Sequence, residues 1–356
     1  MRFLKSFLSA LLCLALVFSL AACHRANERA LYVNGSDYSA GFYSCALVFA
    51  DLEGQQKVYD TLGEKAAADY LNQSIDGVDY KTWVKNRAIE KCKENEFYKA
   101  MCEDLMLDTS SYTEQYVETA DMYWEYYGYK SIFEQNGVGR GTFRSYMGID
   151  GYKDAYFESI YGEKGSKAVS KEDIKTVLNE NFAVADVLSV SLTGKTDVEA
   201  AELESKFSDY AKRLMNNEKF DKIYAEENGV TYTENEKVEE TFSFEYATIL
   251  GNEKTKYESE IYADAKAMKT GEVKLVTKVN DEGKESETKT LYLIFKGDIL
   301  KEGNSEEKTL NNIALRFLKL EEFDKENAPL IEALTVEENE KITKQFKVEK
   351  IKYPTA

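Results

Sequence analysis

The chain has 356 residues, of which 64 are acidic, 46 are basic and one is a histidine, so its formal net charge is −18. Nucleic-acid binding depends on clustered Lys and Arg side chains that displace phosphate counterions, so this acidic excess disfavours it. The length exceeds the size at which one hydrophobic core usually stops growing, and two or so domains are expected.

The first predicted element is a secretion signal over residues 1–22. Its start carries two cations, Arg2 and Lys5, and residues 7–22 are apolar apart from two serines, a run that is short for a membrane-spanning helix. The following stretch "SLAAC" resembles the lipobox of bacterial lipoprotein precursors, in which cleavage precedes a cysteine that carries lipid. On this resemblance the mature chain begins at Cys23, with 44 basic against 64 acidic residues and a net charge of −20. The alternatives are an ordinary signal and an uncleaved anchor.

Beyond the signal, the sequence predicts a short strand and then a series of helices. "ALYV" at 30–33 indicates a strand, and an Asn-Gly turn leads into a helix with Tyr43, Leu47 and Ala50 on one face. Helical patterns continue to about residue 168. Residues 23–169 are therefore predicted as the N-terminal part of a helical domain.

Two cysteines lie in one predicted helix that begins near Thr82. Ten residues of helix separate Cys92 from Cys102, or about 15 Å, which is too far for a disulfide. The expected role of these cysteines is that of small buried apolar side chains. A bridge from Cys45 to either of them stays open at this stage.

Aromatic residues are dense between positions 112 and 161. A helix that starts with a capping box at Ser111 and Glu114 is predicted to carry more aromatic rings than a single buried face holds, with one stripe formed by Tyr116, Ala120, Tyr123 and Tyr127. Trp124 and Tyr126 then point elsewhere. The candidate surface for holding unfolded apolar segments is Tyr123, Trp124, Tyr126 and Tyr127. The alternative is that these rings pack helix against helix.

The sequence pattern changes from all-helical to mixed helix and strand at Ser170. A second domain is therefore predicted over residues 170–300. Capping boxes are predicted at Ser170 with Asp173 and at Thr196 with Glu199, each at the start of a helix. The predicted strands of this domain are 183–192, 241–250, 272–279 and 288–297, the last two joined as a hairpin. This pattern predicts an α+β unit with an antiparallel sheet.

The last segment, residues 301–356, is predicted to be helical and to end in a strand. A capping box at Thr335 and Glu338 predicts the start of one helix. The closing stretch "FKVEKIKY" at 346–353 has the composition of a strand.

The order of these parts resembles the SurA/PrsA-type foldases, which are extracytoplasmic chaperones with a parvulin-type peptidyl-prolyl isomerase domain. The stretches that carry the resemblance are "LYVNGSDYSAGFY", "LMNNEKFDKIYAEENG", "TGEVKLV" and "LYLIF". The resemblance implies an α+β fold, in which both chain ends form a mainly helical chaperone domain around an inserted parvulin-like domain. It also implies that 301–356 packs back on the N-terminal domain, through pairing of strands 30–33 and 346–353.

The sequence departs from this family at the isomerase site. Parvulin sites use histidines near the first and last strands, where this chain has Asp186 and Leu293. Residues 170–300 contain neither His nor Cys, and the single histidine, His24, is next to the predicted anchor. A histidine-based isomerase and histidine-dependent nucleophilic sites are therefore not supported. Isomerase activity stays open, because twisting an amide in an apolar pocket needs no proton transfer.

No cofactor or metal is expected, since zinc-ligand spacings, calcium loops and phosphate-binding glycine motifs are absent from the sequence. The predicted function is a foldase anchored to the outer face of the cell membrane by lipid on Cys23. Its predicted partners are unfolded or nascent secreted proteins, and no nucleic acid. The alternatives are an active peptidyl-prolyl cis-trans isomerase and a solute-binding or envelope-structural lipoprotein.

Overall fold

The computed structural model describes residues 27–233, 261–280, 288–300 and 307–354, together with the backbone of 247–250. The described part is an α+β structure that is mainly helical, as predicted. The predicted signal, Cys23 and His24 lie outside the described residues. The chain divides into two compact units: unit 1 comprises Met1–Ala168 and Lys319–Ala356, and unit 2 comprises Val169–Leu318.

Unit 1 begins with a tight hairpin that leads into a long helix. Strand β1 (Arg29–Val33) turns at Asn34 and Gly35, both with positive φ, into strand β2 (Ser36–Ser39). The Ser39 side chain accepts a hydrogen bond from the Phe42 backbone N–H and so caps helix α1 (Ala40–Leu62). The predicted face of Tyr43, Leu47 and Ala50 is buried in the core of this unit.

The strand that completes the sheet of unit 1 comes from the last part of the chain. Strand β9 (Val336–Glu338) pairs antiparallel with β1, in the register Val33 to Val336 and Leu31 to Glu338. The predictions of a helix capped at Thr335 and Glu338 and of a strand at 346–353 are therefore wrong. The free edge of β1 has unpaired backbone N–H and C=O groups. Hydrogen bonds to these groups stabilise 336–338 as a strand more than its local sequence stabilises a short helix.

The final segment folds as a single 3₁₀ turn, Val348–Lys350, followed by extended chain. Two side chains tie it to the body of unit 1. The Asn136 amide donates to the carbonyl of Lys352 at 2.8 Å and its oxygen accepts from the Lys352 N–H at 2.9 Å. The Tyr353 hydroxyl donates to the Asp51 carboxylate at 2.5 Å. These side-chain contacts, rather than pairing with a strand, hold the C-terminal segment on unit 1.

A small hairpin that the sequence did not predict separates the first two long helices. After the short helix α2 (Glu64–Ala67) and a 3₁₀ turn at Tyr70–Asn72, strands β3 (Ser74–Ile75) and β4 (Val78–Asp79) meet at a two-residue turn. Its residues, Asp76 and Gly77, both have positive φ, as the common hairpin turns require. The prediction that residues 35 to 168 are all helical is wrong at this hairpin.

Helix α3 runs from Tyr80 to Asp104, and its buried stripe includes Val84, Ala88 and Cys92. The Asp79 carboxylate accepts from the Thr82 N–H and caps its start. This helix packs on α1 in the core of unit 1.

The remaining helices of unit 1 follow at short intervals. They are α4 (Ser110–Tyr126), α5 (Tyr129–Gln135), α6 (Arg140–Met147) and α7 (Ile149–Tyr161). Gly128, at φ 77°, separates α4 from α5. The capping box predicted at Ser111 is wrong, because Thr109 is the N-cap residue and the Asp108 carboxylate accepts from the Ser110 N–H at 3.0 Å.

Unit 2 is an antiparallel sheet with helices around it. Strands β5 (Phe182–Ser191), β6 (Ala247–Leu250), β7 (Val273–Asn280) and β8 (Thr288–Lys296) lie in the order β6-β5-β8-β7. The predicted strand at 241–250 is described only over β6, and most of the predicted hairpin turn lies outside the described residues.

Four described helices lie wholly in unit 2: α8 (Lys171–Asn181), α9 (Asp197–Met215), α10 (Phe220–Asn228) and α11 (Tyr262–Ala267). The first two start where the sequence predicts. The Ser170 hydroxyl accepts from the Asp173 N–H, and Thr196 with Glu199 forms a complete capping box. Helix α12 (Glu307–Glu332) begins in unit 2 and ends in unit 1.

Candidate functional site

Trp124, one of the four predicted surface aromatics, is a core residue. Its side chain is only 3% exposed, and its ring lies 5.3 Å from that of Phe143. Ala120 and Trp124 form the buried face of α4, one turn apart. The predicted orientation of Trp124 is therefore wrong, because the face of α4 that packs on Phe133 and Phe143 runs through Ala120 and Trp124.

The other three candidates reach the surface of α4 and the turn that follows it. Tyr126 is 83% exposed, Tyr127 is 61% exposed and Tyr123 is half-buried. Met122, which is 42% exposed, lies one helical turn before Tyr126. We call Met122, Tyr126 and Tyr127 the tyrosine patch. Large apolar and aromatic groups presented on an ordered helix are typical of surfaces that bind other molecules.

The helix that carries the tyrosine patch is braced against a neighbouring helix. On another face of α4, Arg140 bridges Asp121 at 3.1 Å and Glu125 at 2.7 Å, which ties α4 to α6. Glu118 is exposed one turn before Met122 on the same ridge of α4. The patch is thus held on a braced helix, with a carboxylate one turn away.

A groove with a volume of about 640 Å³ runs along α3 and the last turns of α12. Its apolar surface includes Ile89 and Ile331, and its rim carries charges of both signs. The Lys93 amine donates to the Glu332 carbonyl at 2.7 Å, and Lys153 pairs with Asp324 at 2.8 Å. This mixture of apolar and paired charged groups suits binding of an extended chain better than chemical reaction.

In unit 2, the structure places Asp186 and Leu293 on neighbouring strands. Asp186 pairs with Phe295 and Leu188 pairs with Leu293, so Asp186 and Leu293 lie on the same face of the sheet, offset by two residues. Leu293 is fully buried in the core formed with α9 and α10. Burial, and secondarily the nearby Asp221 carboxylate, raise the pKa of Asp186 to about 6. A leucine offers no hydrogen bond, so these two positions form no acid-base pair.

The three described cysteines, Cys45, Cys92 and Cys102, are free and buried. Cys45 therefore forms no disulfide with Cys92 or Cys102. Burial raises the pKa of each thiol, that of Cys102 to about 11. All three are therefore protonated at neutral pH and lack nucleophilic character. They pack as small apolar side chains, as predicted.

Sequence reasoning missed a fully buried carboxylate, Asp51 on α1. It accepts hydrogen bonds from three side chains, those of Gln55, Tyr80 and Tyr353. Burial raises its pKa in spite of these donors. Asp51 follows Leu47 by four residues on the predicted buried face, and that spacing was the signal available in the sequence. Its role is to join α1, α3 and the C-terminal segment.

Two kinds of feature are absent from the described residues. None of the helices described is long and apolar enough to cross a membrane. Within the same residues, no three His, Cys, Asp or Glu side chains are grouped in a way that would hold a metal ion.

Among the crystal structures similar to this chain are two of the foldase protein PrsA. The one from Lactococcus lactis has a TM-score of 0.34 and 14% identity, and the match covers 90% of this chain and 99% of that one. The one from Streptococcus pneumoniae has a TM-score of 0.34 and 15% identity, over 68% and 85% of the two chains. No protein-family model and no curated protein sequence matches. At these scores the backbones superpose only loosely, and the likeness does not assign the chain to a family.

Proposed function

We propose that this protein is a lipid-anchored extracytoplasmic foldase that holds unfolded segments of secreted proteins on the tyrosine patch. The observation that carries the proposal is the exposure of Tyr126 and Tyr127 beside Met122 on a braced helix. Tyrosine rings bind apolar segments and remain compatible with water, which is what a chaperone surface needs. The groove along α3 supplies a second surface for an extended chain.

The proposed location follows from the N-terminal sequence. Cleavage before Cys23 and lipid attachment there would tether the mature chain to the outer face of the membrane, where secreted chains emerge unfolded. Residues 170–300 are proposed as the parvulin-like domain without its usual histidines. Residues 23–169 and 301–356 are proposed as the chaperone domain.

An aggregation assay tests the holding function. The chain from residue 23 onward, with Cys23→Ser to avoid lipid attachment, is mixed with a chemically unfolded model protein, and light scattering is followed. We expect suppression at stoichiometric amounts, and we expect Tyr126→Ala with Tyr127→Ala to weaken it several-fold. Tyr59→Ala is the matched control, because Tyr59 is 52% exposed and lies elsewhere in unit 1. No suppression by the unmodified chain would contradict the proposal.

Isomerase turnover is a second candidate function, favoured by the half-buried Phe295 ring beside Asp186 in unit 2. Leu188 and Leu293 on the same face are packed under α9 and α10, so Phe295 is the accessible part of this apolar surface. An apolar surface that twists an amide lowers its rotation barrier without proton transfer. A proline-containing peptide assay decides this point, and a rate equal to the uncatalysed one would remove the candidate.

A further inference from the structure

A second cavity in unit 1 has aromatic walls. It has a volume of about 390 Å³ and lies between α1, α3 and the residues around the start of α7. Its apolar lining is formed by Phe49, Leu52, Tyr129, Tyr146, Met147 and Ile149. The Phe49 and Tyr146 rings are stacked 4.8 Å apart with an angle of 7° between them. We call this space the aromatic cavity.

The aromatic cavity is connected to the tyrosine patch by a chain of ring contacts. Tyr127 meets Tyr123 edge-on at 5.4 Å, and Tyr123 stacks on Tyr129 at 5.3 Å. Tyr129 is itself a wall of the cavity and lies 6.3 Å from Phe49. The ring of Tyr129 is therefore two contacts away from the exposed ring of Tyr127.

The charges around the aromatic cavity do not balance. Glu53 is paired with Arg87 at 2.9 Å and with Lys91 at 2.7 Å, and Glu94 is paired with Arg87 at 2.7 Å. Arg87 also pairs with Glu90 at 2.9 Å, so two cations are shared among three carboxylates. The lining also contains Asp150, and within the described residues this carboxylate has no ion pair.

Asp150 lies in the first turn of α7, where the helix dipole favours its negative charge. Lys91 and Lys153 are the nearby cations, and each is within an ion pair of its own, with Glu53 and Asp324 respectively. Asp154 adds further negative charge close by. Burial, and secondarily the Asp154 carboxylate, raise the pKa of Asp150. The cavity therefore combines aromatic walls with an excess of negative charge.

We infer that the aromatic cavity binds the arginine side chain of a protein segment that lies on the tyrosine patch. This inference rests on the proposed function and specifies which unfolded segments are preferred. A guanidinium is planar, always charged and weakly hydrated, so it stacks on aromatic faces while it pairs with a carboxylate. Its aliphatic stem suits a lining of Leu52, Met147 and Ile149.

The test compares two peptides that differ in charge alone. One is acetyl-Leu-Arg-Leu amide, and the other has citrulline in place of arginine, which keeps the shape and removes the positive charge. Binding to the chain from residue 23 onward, with Cys23→Ser, is measured by isothermal titration calorimetry at low ionic strength. We expect the arginine peptide to bind at least tenfold more tightly. Equal affinities would overturn the inference.

Substitutions in the protein locate the effect. Asp150→Asn is expected to reduce the ratio of the two affinities to near one, and Tyr129→Leu is expected to weaken arginine binding severalfold. Glu172→Gln is the matched control, because Glu172 is also an exposed carboxylate in the first turn of a helix but belongs to unit 2. Circular dichroism confirms that each variant is folded. An unchanged ratio in Asp150→Asn would assign the preference to another site and overturn the inference.

A third set of titrations tests whether the cavity prefers a peptide to a small organic cation. Putrescine and n-butylguanidinium are titrated alone and in competition with the arginine peptide. If either binds as tightly as the peptide, the aromatic cavity is a site for small cations and the inference is overturned.

If aggregation is suppressed but the two peptides bind equally, the proposed function stands and the arginine preference fails. If the arginine peptide binds selectively but aggregation is not suppressed, the holding function fails and the peptide site remains.

Discussion

Trp124 and Tyr126 are two residues apart on α4 and have opposite environments. The indole is 3% exposed, whereas the Tyr126 ring is 83% exposed. Two helical positions differ by about 200° around the axis, so a small error in the placement of the buried face exchanges core and surface. The sequence pattern predicted a helix rich in aromatic residues. Which of its rings contacts Phe143 depends on how the neighbouring helices pack.

At the same scale, Asp186 makes the stability of unit 2 depend on pH. Its pKa is raised from 3.8 to about 6, so the folded state binds this proton more tightly than the unfolded state. The resulting stabilisation is fully present below about pH 4 and is lost as the pH rises through about 6. We expect Asp186→Asn to stabilise unit 2 at pH 7.5 by about 1–3 kcal/mol.

Hydrogen exchange at the amides of β5, measured at pH 5 and pH 7.5, checks this expectation. Asp221→Asn is an informative control, because removing its negative charge should shift the titration of Asp186 downward without abolishing it. If the Asp186→Asn variant kept the pH dependence of the unmodified chain, another group would be responsible.

At the scale of elements, a glycine sets how closely α7 approaches α4. A Cβ atom added at Gly151 would lie 2.7 Å from both the N and Cα atoms of Thr113, so the two backbones would have to separate. We expect Gly151→Ala to destabilise unit 1 by about 1–3 kcal/mol.

Gly141→Ala is the matched control within α6, where an added Cβ meets nothing within 4 Å. It is expected to stabilise the unit by about 0.5–1 kcal/mol through helix propensity. Urea unfolding followed by tryptophan fluorescence reports on unit 1, because the two tryptophans, Trp83 and Trp124, both belong to it. Equal stability of the two variants would show that the helices can move apart freely.

At the scale of the whole molecule, unit 1 is assembled from both ends of the chain. Strand β9 pairs with β1, the C-terminal segment is bound by Asn136, and Tyr353 donates to the buried Asp51. These contacts join residues more than 200 positions apart, which makes the unit dependent on about its last twenty residues.

Removal of residues 335–356 is therefore expected to lower the unfolding temperature of unit 1 by several degrees or more while protection in β5 and β8 is retained. Tyr353→Phe, which removes a single hydrogen bond to Asp51, should have a much smaller effect. Hydrogen exchange resolved by peptide measures both units in one experiment. Undiminished protection in α1 after the truncation would show that the chain ends contribute little.

The sequence by itself determined the features that depend on nearby residues. The capping side chains of Ser170 and Thr196 start helices because their partners are three residues away, and the apolar period of α1 and α3 selects a buried face. The antiparallel hairpin of β7 and β8 follows from two runs of strand-forming residues in close succession. Local hydrogen bonds and local periodicity carry this information.

Only the tertiary structure decided which segment pairs with β1, which aromatic ring is buried and where the charges fail to balance. Val336–Glu338 forms a strand in spite of its capping pattern because β1 lies beside it. Trp124 is buried because Phe143 comes from another helix, and Asp150 keeps its charge unmatched because Arg87 and Lys91 are bound to Glu53 and Glu94. Each of these outcomes depends on groups that are distant in sequence, and no local pattern records which of them meet.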